Sequence, residues 1–233
     1  MEEGADACRK GGEPFTISIS TKLTRREGRI SMSDGTNTNV SSRAGLWVAA
    51  FAALAVLHRL IPYLFDLGQE ARFAWNFAPV GAVGLFAGVR WRSRFALLTP
   101  VAVMLVSHLL MWPFLAAKGY PTFSWMTPIL YGSFMAYALI GRLIRGSSSP
   151  LWIGGAAFLG ALQFYLLTNF ACWAGGDGET YAMSLAGLAH CYYMALPFFS
   201  ATLGGDLAFS GLFFGLYALS LHVFPAQKET QPA

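Results

Sequence analysis

Residues 95–117 run for 23 positions without a formal charge, and residues 151–173 form a second charge-free run of the same length. Crossing the hydrocarbon of a bilayer takes ~20 residues of helix. No soluble core helix needs two such stretches, so the chain must fold in a membrane. Further apolar stretches, separated by short polar connections, bring the count to six. The expected fold is all-α: a polytopic membrane bundle of about six transmembrane helices.

Composition agrees. Of 233 residues, 55% are hydrophobic and only 12% charged, with a mean hydropathy of +0.48, which places the chain in the membrane class. The 15% of aromatics suits interfacial belts and packed helices. A net charge of +4 does not point to nucleic acid, because several arginines sit at the ends of apolar runs, where they set orientation. Cys8, Cys172 and Cys191 match no CxxC pattern, so neither zinc nor a disulfide framework is inferred, and no metal or cofactor is expected.

Residues 1–42 are polar, rich in Gly, Ser and Thr, and lack an apolar face. Residues 15–20 alternate weakly, but so short a strand alone has nothing to pair with. The tail is expected to be disordered. It has no apolar h-region and so does not read as a cleaved signal peptide. Met32 opens MSDGTNTNVSSRAGL, which reads like a natural start. The expectation that translation begins there fails if N-terminal sequencing of the native protein finds Glu2 or another upstream residue.

The transmembrane domain should cover 43–225, followed by a short tail at 226–233. Helices are expected at 46–65, 73–89, 95–117, 125–144 and 151–173. The second holds Pro79, Gly81, Gly84 and Gly88 and barely crosses. The last apolar region, 181–224, is 44 residues long, too long for one span. Pro197 and the Gly204-Gly205 pair are expected to break it into a lead-in helix at 181–196 and a sixth span at 197–224.

With six spans, Arg43, Arg90, Arg92, Arg94, Arg142, Arg145 and Lys228 share one side. The other side carries Arg72 and Lys118 with Asp66, Glu70, Asp177 and Glu179. By the positive-inside rule both termini are cytoplasmic, in a multi-pass protein of the cell inner membrane. A seventh crossing by the lead-in helix would put Lys228 outside.

Few residues can carry chemistry. Asp206 lies inside the last apolar region, where a carboxylate faces a polar cavity or a partner. It reads either as an ion, ligand or proton contact, or as the N-cap of a helix restarting after the glycine pair. His108, mid-way along the third span, is a second relay candidate, or it hydrogen-bonds a neighbouring helix. His58 and Arg59 sit near the outer end of the first span, where Arg59 would snorkel. His190 stands at helical spacing from Met183, Gly187 and Met194, a small, soft face suited to packing or to a pocket wall.

Three outer connections bring aromatics beside amides, hydroxyls or carboxylates: Arg72, Phe73, Trp75 and Asn76; the stretch GYPTFSW at 119–125; and TNFACWAGGDGETY at 168–181. Ligand pockets are mostly apolar and aromatic with a few placed polar groups; an interfacial aromatic belt is the alternative. As a pocket, Asn76, Trp125, Asn169, Trp173 and His190 would bind the substrate. There is no HExxH, no GxSxG and no glycine-rich phosphate loop, and Gly132-Ser133 lacks the rest of an intramembrane serine-protease motif. An enzyme is not expected, and active transport would need a separate motor or an ion gradient.

The segments Asn76-Phe77-Ala78-Pro79-Val80-Gly81-Ala82, Tyr131-Gly132, Thr168-Asn169-Phe170, Gly187-Leu188, Cys191-Tyr192, Pro197-Phe198-Phe199 and Thr202-Leu203-Gly204-Gly205-Asp206 resemble a family of bacterial integral membrane proteins classed as a domain of unknown function, over about 46–224. That family is in turn similar to the substrate-binding subunits of energy-coupling-factor (ECF) vitamin transporters. The resemblance implies six helices, cytoplasmic termini and an outward pocket roofed by loops. It also implies a coupling protein docked on small residues of the first helix. Ala49 and Ala53 fit that spacing, and Leu57 breaks it. Three readings compete. The chain is a substrate-binding subunit for a small molecule working with ATPase and coupling membrane subunits, or a stand-alone ion- or proton-coupled carrier using Asp206 and His108, or a non-transporting scaffold among membrane lipids.

Overall fold

Helices dominate because lipid offers backbone N–H and C=O groups no partner, so each apolar segment must satisfy them internally. The computed structural model describes residues 34–65, 67, 76–176 and 178–224, with the backbone alone at 34–41. Asp66, Glu70, Arg72, Phe73, Trp75, Asp177 and Lys228, which bear on orientation and the outer face, lie outside the described residues, as do Met32 and residues 1–31. The elements are α1 (Asp34–Leu64), α2 (Val80–Arg90), a 3-10 turn (Arg94–Leu97), α3 (Thr99–Ala117), α4 (Thr127–Leu143), α5 (Pro150–Ala174) and α6 (Leu185–Val223). Among the described residues there is no strand, and the fold is the expected all-α bundle.

Start signals follow ordinary chemistry. Prolines occupy the first turns of α3, α4 and α5, where a missing N–H costs nothing. Ser184 caps α6 by accepting from the Gly187 N–H at 3.2 Å. Gly146, with φ of +80°, turns the chain between α4 and α5 in a backbone conformation other residues resist. The first helix begins earlier than expected. It takes in residues 34–42, which composition assigned to the disordered tail: no proline stands there, and an established helix propagates easily. The compact unit that holds α2 to α6 begins at Asn39, within α1.

Among the described residues, four helices are long and apolar enough to cross a membrane: Ser42–Leu64 within α1, α3, α5 and α6. Only 22% of the most apolar window of the first is buried by protein, and 28% of that in α6. Side chains such as Leu57, Trp112 and Leu219 point outward. So much exposed apolar surface fits a membrane-embedded protein, with lipid covering these faces.

The two short helices do the central packing. α2 has 11 residues and spans ~16 Å, about half the ~30 Å hydrocarbon. Val80 to Val89 are all buried, as expected of a helix that is apolar all round. Backbones meet closely where α2 crosses α4. A Cβ on Gly88 would overlap the Ala138 carbonyl, and one on Gly141 the Leu85 carbonyl. Phe86 then joins three helices. It meets Phe51 of α1 edge-on at 5.1 Å, Phe214 at 5.1 Å and Tyr217 at 5.4 Å, while Phe51 stacks on Phe213 at 4.0 Å. At the far end Arg90 donates to Ser148 Oγ and lies 5.5 Å from the rings of Phe214 and Tyr217. A cation there also complements the C-terminal end of the helix dipole.

The last region departs from expectation. α6 is one helix of 39 residues, ~58 Å long, and neither Pro197 nor Gly204-Gly205 breaks it. Opening a helix inside lipid would strand several backbone groups at a cost of several kcal/mol each, more than the loss of one proline hydrogen bond. Gly205 instead lets the Phe77–Ala78 backbone approach, 3.1 Å from where its Cβ would stand.

Candidate functional site

The segment entering α2 is not helical. Ala78 N–H donates to the Asn76 carbonyl at 3.0 Å, and Pro79 precedes the first helical residue, Val80. Irregular backbone is tolerated at membrane depth only where protein buries it or a polar cavity adjoins it. Here both hold. Phe77 packs over Gly204 and against Phe209. Beside it lies a cavity of about 200 Å³ bounded by Asn76, Tyr165, Thr168, Asn169, Phe198 and Thr202, among others.

The polar side chains of this wall turn their donors back on their own helices. Asn169 Nδ2 donates to the Tyr165 carbonyl at 2.8 Å, Thr168 Oγ1 to Phe164 at 2.7 Å and Thr202 Oγ1 to Phe198 at 3.0 Å. Such back-bonding is how polar side chains satisfy themselves in helices. The two threonines therefore offer the cavity acceptor oxygens, and Asn169 offers its amide oxygen and its second N–H. Tyr165 is fixed by donating to the Tyr192 carbonyl at 2.6 Å, and Tyr192 donates in return to Leu166 at 2.9 Å. The wall is aromatic on α5 and α6 and held in place by α5–α6 hydrogen bonds.

Of the five residues expected to bind substrate, two meet here: Asn76 and Asn169. The other three lie outside this cavity. Trp125 is 55% exposed and covers Gly175, beside an open groove between α4 and α5. Trp173 stands one turn beyond Asn169 and donates Nε1 to the Ala182 carbonyl at 3.0 Å, strapping down the connection to α6. His190 is exposed and meets Tyr181 edge-on at 5.6 Å. The aromatics of these connections thus brace them rather than line one pocket.

Asp206 is not a cap for its own helix, since α6 runs through it. It is buried, 1% exposed, and accepts from Tyr137 Oη at 2.5 Å. A Cβ on Gly81 would run into Asp206 Oδ1 and the Tyr137 ring, and one on Gly160 into the same ring. The carboxyl group therefore stands beside the first turn of α2, the positive end of that helix. Asp206 ties α6 to α4 through this hydrogen bond and packs against the first turn of α2.

His108 shares a hydrogen bond of 2.9 Å with Tyr131 Oη, the ordinary interhelical role for such a histidine. Tyr131 and Tyr137 are six positions apart on α4, which leaves them about 120° apart around the helix axis. The two relay candidates thus face different sides of that helix. Arg59 does not snorkel to the near helix end. It donates Nε to Ser107 Oγ on α3 at 2.8 Å. Tyr137, Tyr131, Tyr165 and Ser107 are structural partners that no sequence pattern pairs with these groups; their only signal is a polar group inside an apolar helix.

A family described as "Family of unknown function (DUF6580)" matches residues 40–227. No curated protein and no solved structure matches the chain.

Proposed function

The chain belongs to this family of unknown function, and we propose from the geometry that it is a substrate-binding membrane protein for uptake of a small molecule. What carries the reading is the Asn76–Asn169 cavity beside the unwound entry to a half-length central helix. Broken helices at mid-membrane are where many transporters hold their cargo. The wall suggests the cargo. Aromatic faces favour a ring, and acceptor oxygens favour N–H or O–H donors on it. At about 200 Å³ the space is below the ~300–1,000 Å³ of drug-sized sites, so one ring is the appropriate scale. Among the described residues the lining is apolar and aromatic apart from the amides, hydroxyls and phenol named above. With no nucleotide-binding motif in the sequence, external ATPase and coupling subunits of the ECF kind would drive the cycle. A carrier relaying protons between His108 and Asp206 is less favoured, because the two sit in separate pairs on different sides of α4.

Mass spectrometry of protein extracted in mild detergent should find a co-purified one-ring molecule. Asn169→Leu should melt like the wild type yet lose it. Leaving a ligand donor unpaired costs about 1–3 kcal/mol, roughly fivefold to hundredfold in affinity. Wild-type protein carrying lipid alone, or equal occupancy in the variant, defeats the reading.

For orientation we propose six crossings with both termini cytoplasmic, supported by the arginine asymmetry. Reporter fusions at residue 147 and at the C-terminus should read cytoplasmic, and one at residue 177 external. An external signal at 147 overturns the map.

A further inference from the structure

A second polar cluster lies where α1, α3 and α4 meet, and it shares no residue with the Asn76–Asn169 cavity. Its centre is Arg59, within the apolar span Ser42–Leu64. Ionisable groups within spanning helices are rare, and those that turn inward mark a pairing site or a polar path. Arg59 is drawn inward. The Cα–Cβ bonds of a helix tilt toward its N-terminus, which here is away from the nearer helix end. Nε then meets Ser107, which is fully buried on α3 and itself donates to the Met104 carbonyl at 3.0 Å.

That contact uses one of five guanidinium N–H groups and fixes the plane of the fork. The groups acting electrostatically on the guanidinium are Tyr63 and Tyr131, and Arg59 acts in turn on His58 and His108. Among the described residues no carboxylate does so. Tyr131 and His108 are hydrogen-bonded to each other, their rings stacked at 5.7 Å, and Phe123 closes on His108 edge-on at 5.8 Å. Ser107 directly precedes His108 on α3, so the held guanidinium lies within electrostatic reach of the His108–Tyr131 pair, a combination that suits a planar or tetrahedral oxyanion.

We propose that the Arg59–Ser107–His108–Tyr131 cluster binds the oxyanion of a small carboxylate or phosphate, with the Nη groups of Arg59 as the main donors. Ser107 is a positioning residue, and Tyr131 and His108 flank the anion. The inference stands independently of the uptake reading, since its residues and its ligand group are different.

The test uses the full chain in lipid-free non-ionic detergent, melted against benzoate or inorganic phosphate at constant ionic strength. One of these anions should raise the melting temperature saturably. Arg59→Gln should abolish that rise while melting close to the wild type without anion, because it removes a charge whose burial is itself costly. Arg59→Lys keeps the charge but loses the fork and should bind at least about tenfold more weakly. Ser107→Ala should weaken binding without changing which anion is preferred. A benzoate response assigns a soluble carboxylate. A phosphate response is repeated in phosphatidylglycerol and phosphatidylcholine nanodiscs. Loss of the phosphate response in the phosphatidylglycerol discs alone assigns a lipid headgroup, and retention in both assigns free phosphate. Equal shifts in wild type and Arg59→Gln, or no shift with either anion, would overturn the proposal. So would a response gained only in the Asp66→Asn/Glu70→Gln double variant, which would make the occupant one of the chain's own acids. Should Arg59→Gln fail to fold, unchanged affinity in a well-folded Arg59→Lys would also sink it.

Discussion

Gly88→Val should unfold the protein at markedly lower temperature in detergent than wild type. A Cβ there would overlap the Ala138 carbonyl, and its next neighbours are also backbone atoms of Ala138. Backbone cannot rotate out of the way as a side chain can. Overpacking of this kind costs about 1–3 kcal/mol and occasionally more, and valine adds two further carbons to the overlap. The upper end, ~3 kcal/mol, is expected. Gly84→Ala is the control. Its nearest neighbours would be the Tyr137 side chain at 3.2 Å, the Phe134 carbonyl at 3.3 Å and Pro100 at 3.4 Å, so a shift of a few tenths of an ångström suffices. Equal melting temperatures for Gly88→Val and wild type would mean that α2 and α4 do not cross at these glycines.

The second large effect concerns Asp206. Asp206→Ala removes the acceptor of the Tyr137 hydroxyl deep in the bundle and leaves a void beside α2. An unsatisfied buried group costs about 1–3 kcal/mol. A loss of about 2 kcal/mol is expected from the orphaned hydroxyl alone. Asp206→Asn retains an acceptor oxygen and should stay within about 1 kcal/mol, the net worth of an ordinary hydrogen bond. Tyr137→Phe combined with Asp206→Ala should cost less than the two single changes added together, because the second removes the group the first orphans. Strict additivity in that cycle would show that the pair does not act as a unit. A transport assay adds a separate arm: loss of pH-dependent uptake in a well-folded Asp206→Asn would move Asp206 from fastening helices to carrying protons.

The long charge-free runs were legible because lipid leaves such segments one option, and α3 and α5 fall close to their expected bounds. The interior was harder to read. Pro197 and Gly204-Gly205 are breakers in water, where an opened helix can bond solvent. In lipid the same residues stay helical, and Gly205 is used for close approach. That misjudged environment produced the second error, since Asp206 looked like a cap only if a helix restarted there. Tyr137 carried no local signal. Its importance comes from Gly81, Gly160 and Asp206, which the sequence holds far from it and from one another. Asn76 and Asn169 drew notice because an amide in an apolar setting needs a reason, and the two line one cavity. Trp125 and Trp173 lie away from that cavity, a separation the sequence does not show, because a tryptophan near a helix end serves a strap, a belt or a pocket equally well.

The burial of α2 constrains how the protein is made. Eleven residues are too few to partition stably into lipid on their own, and the walls that enclose them are synthesised later: Gly141 on α4, Gly160 on α5, Asp206 on α6. α2 must therefore wait for α6 before it has a seat. Until then a glycine-rich apolar segment with no lasting place of its own depends on the insertion machinery or a chaperone to keep it from straying. A chain released before α6 is complete would be a substrate for quality control, even with three full-length spans already in the bilayer.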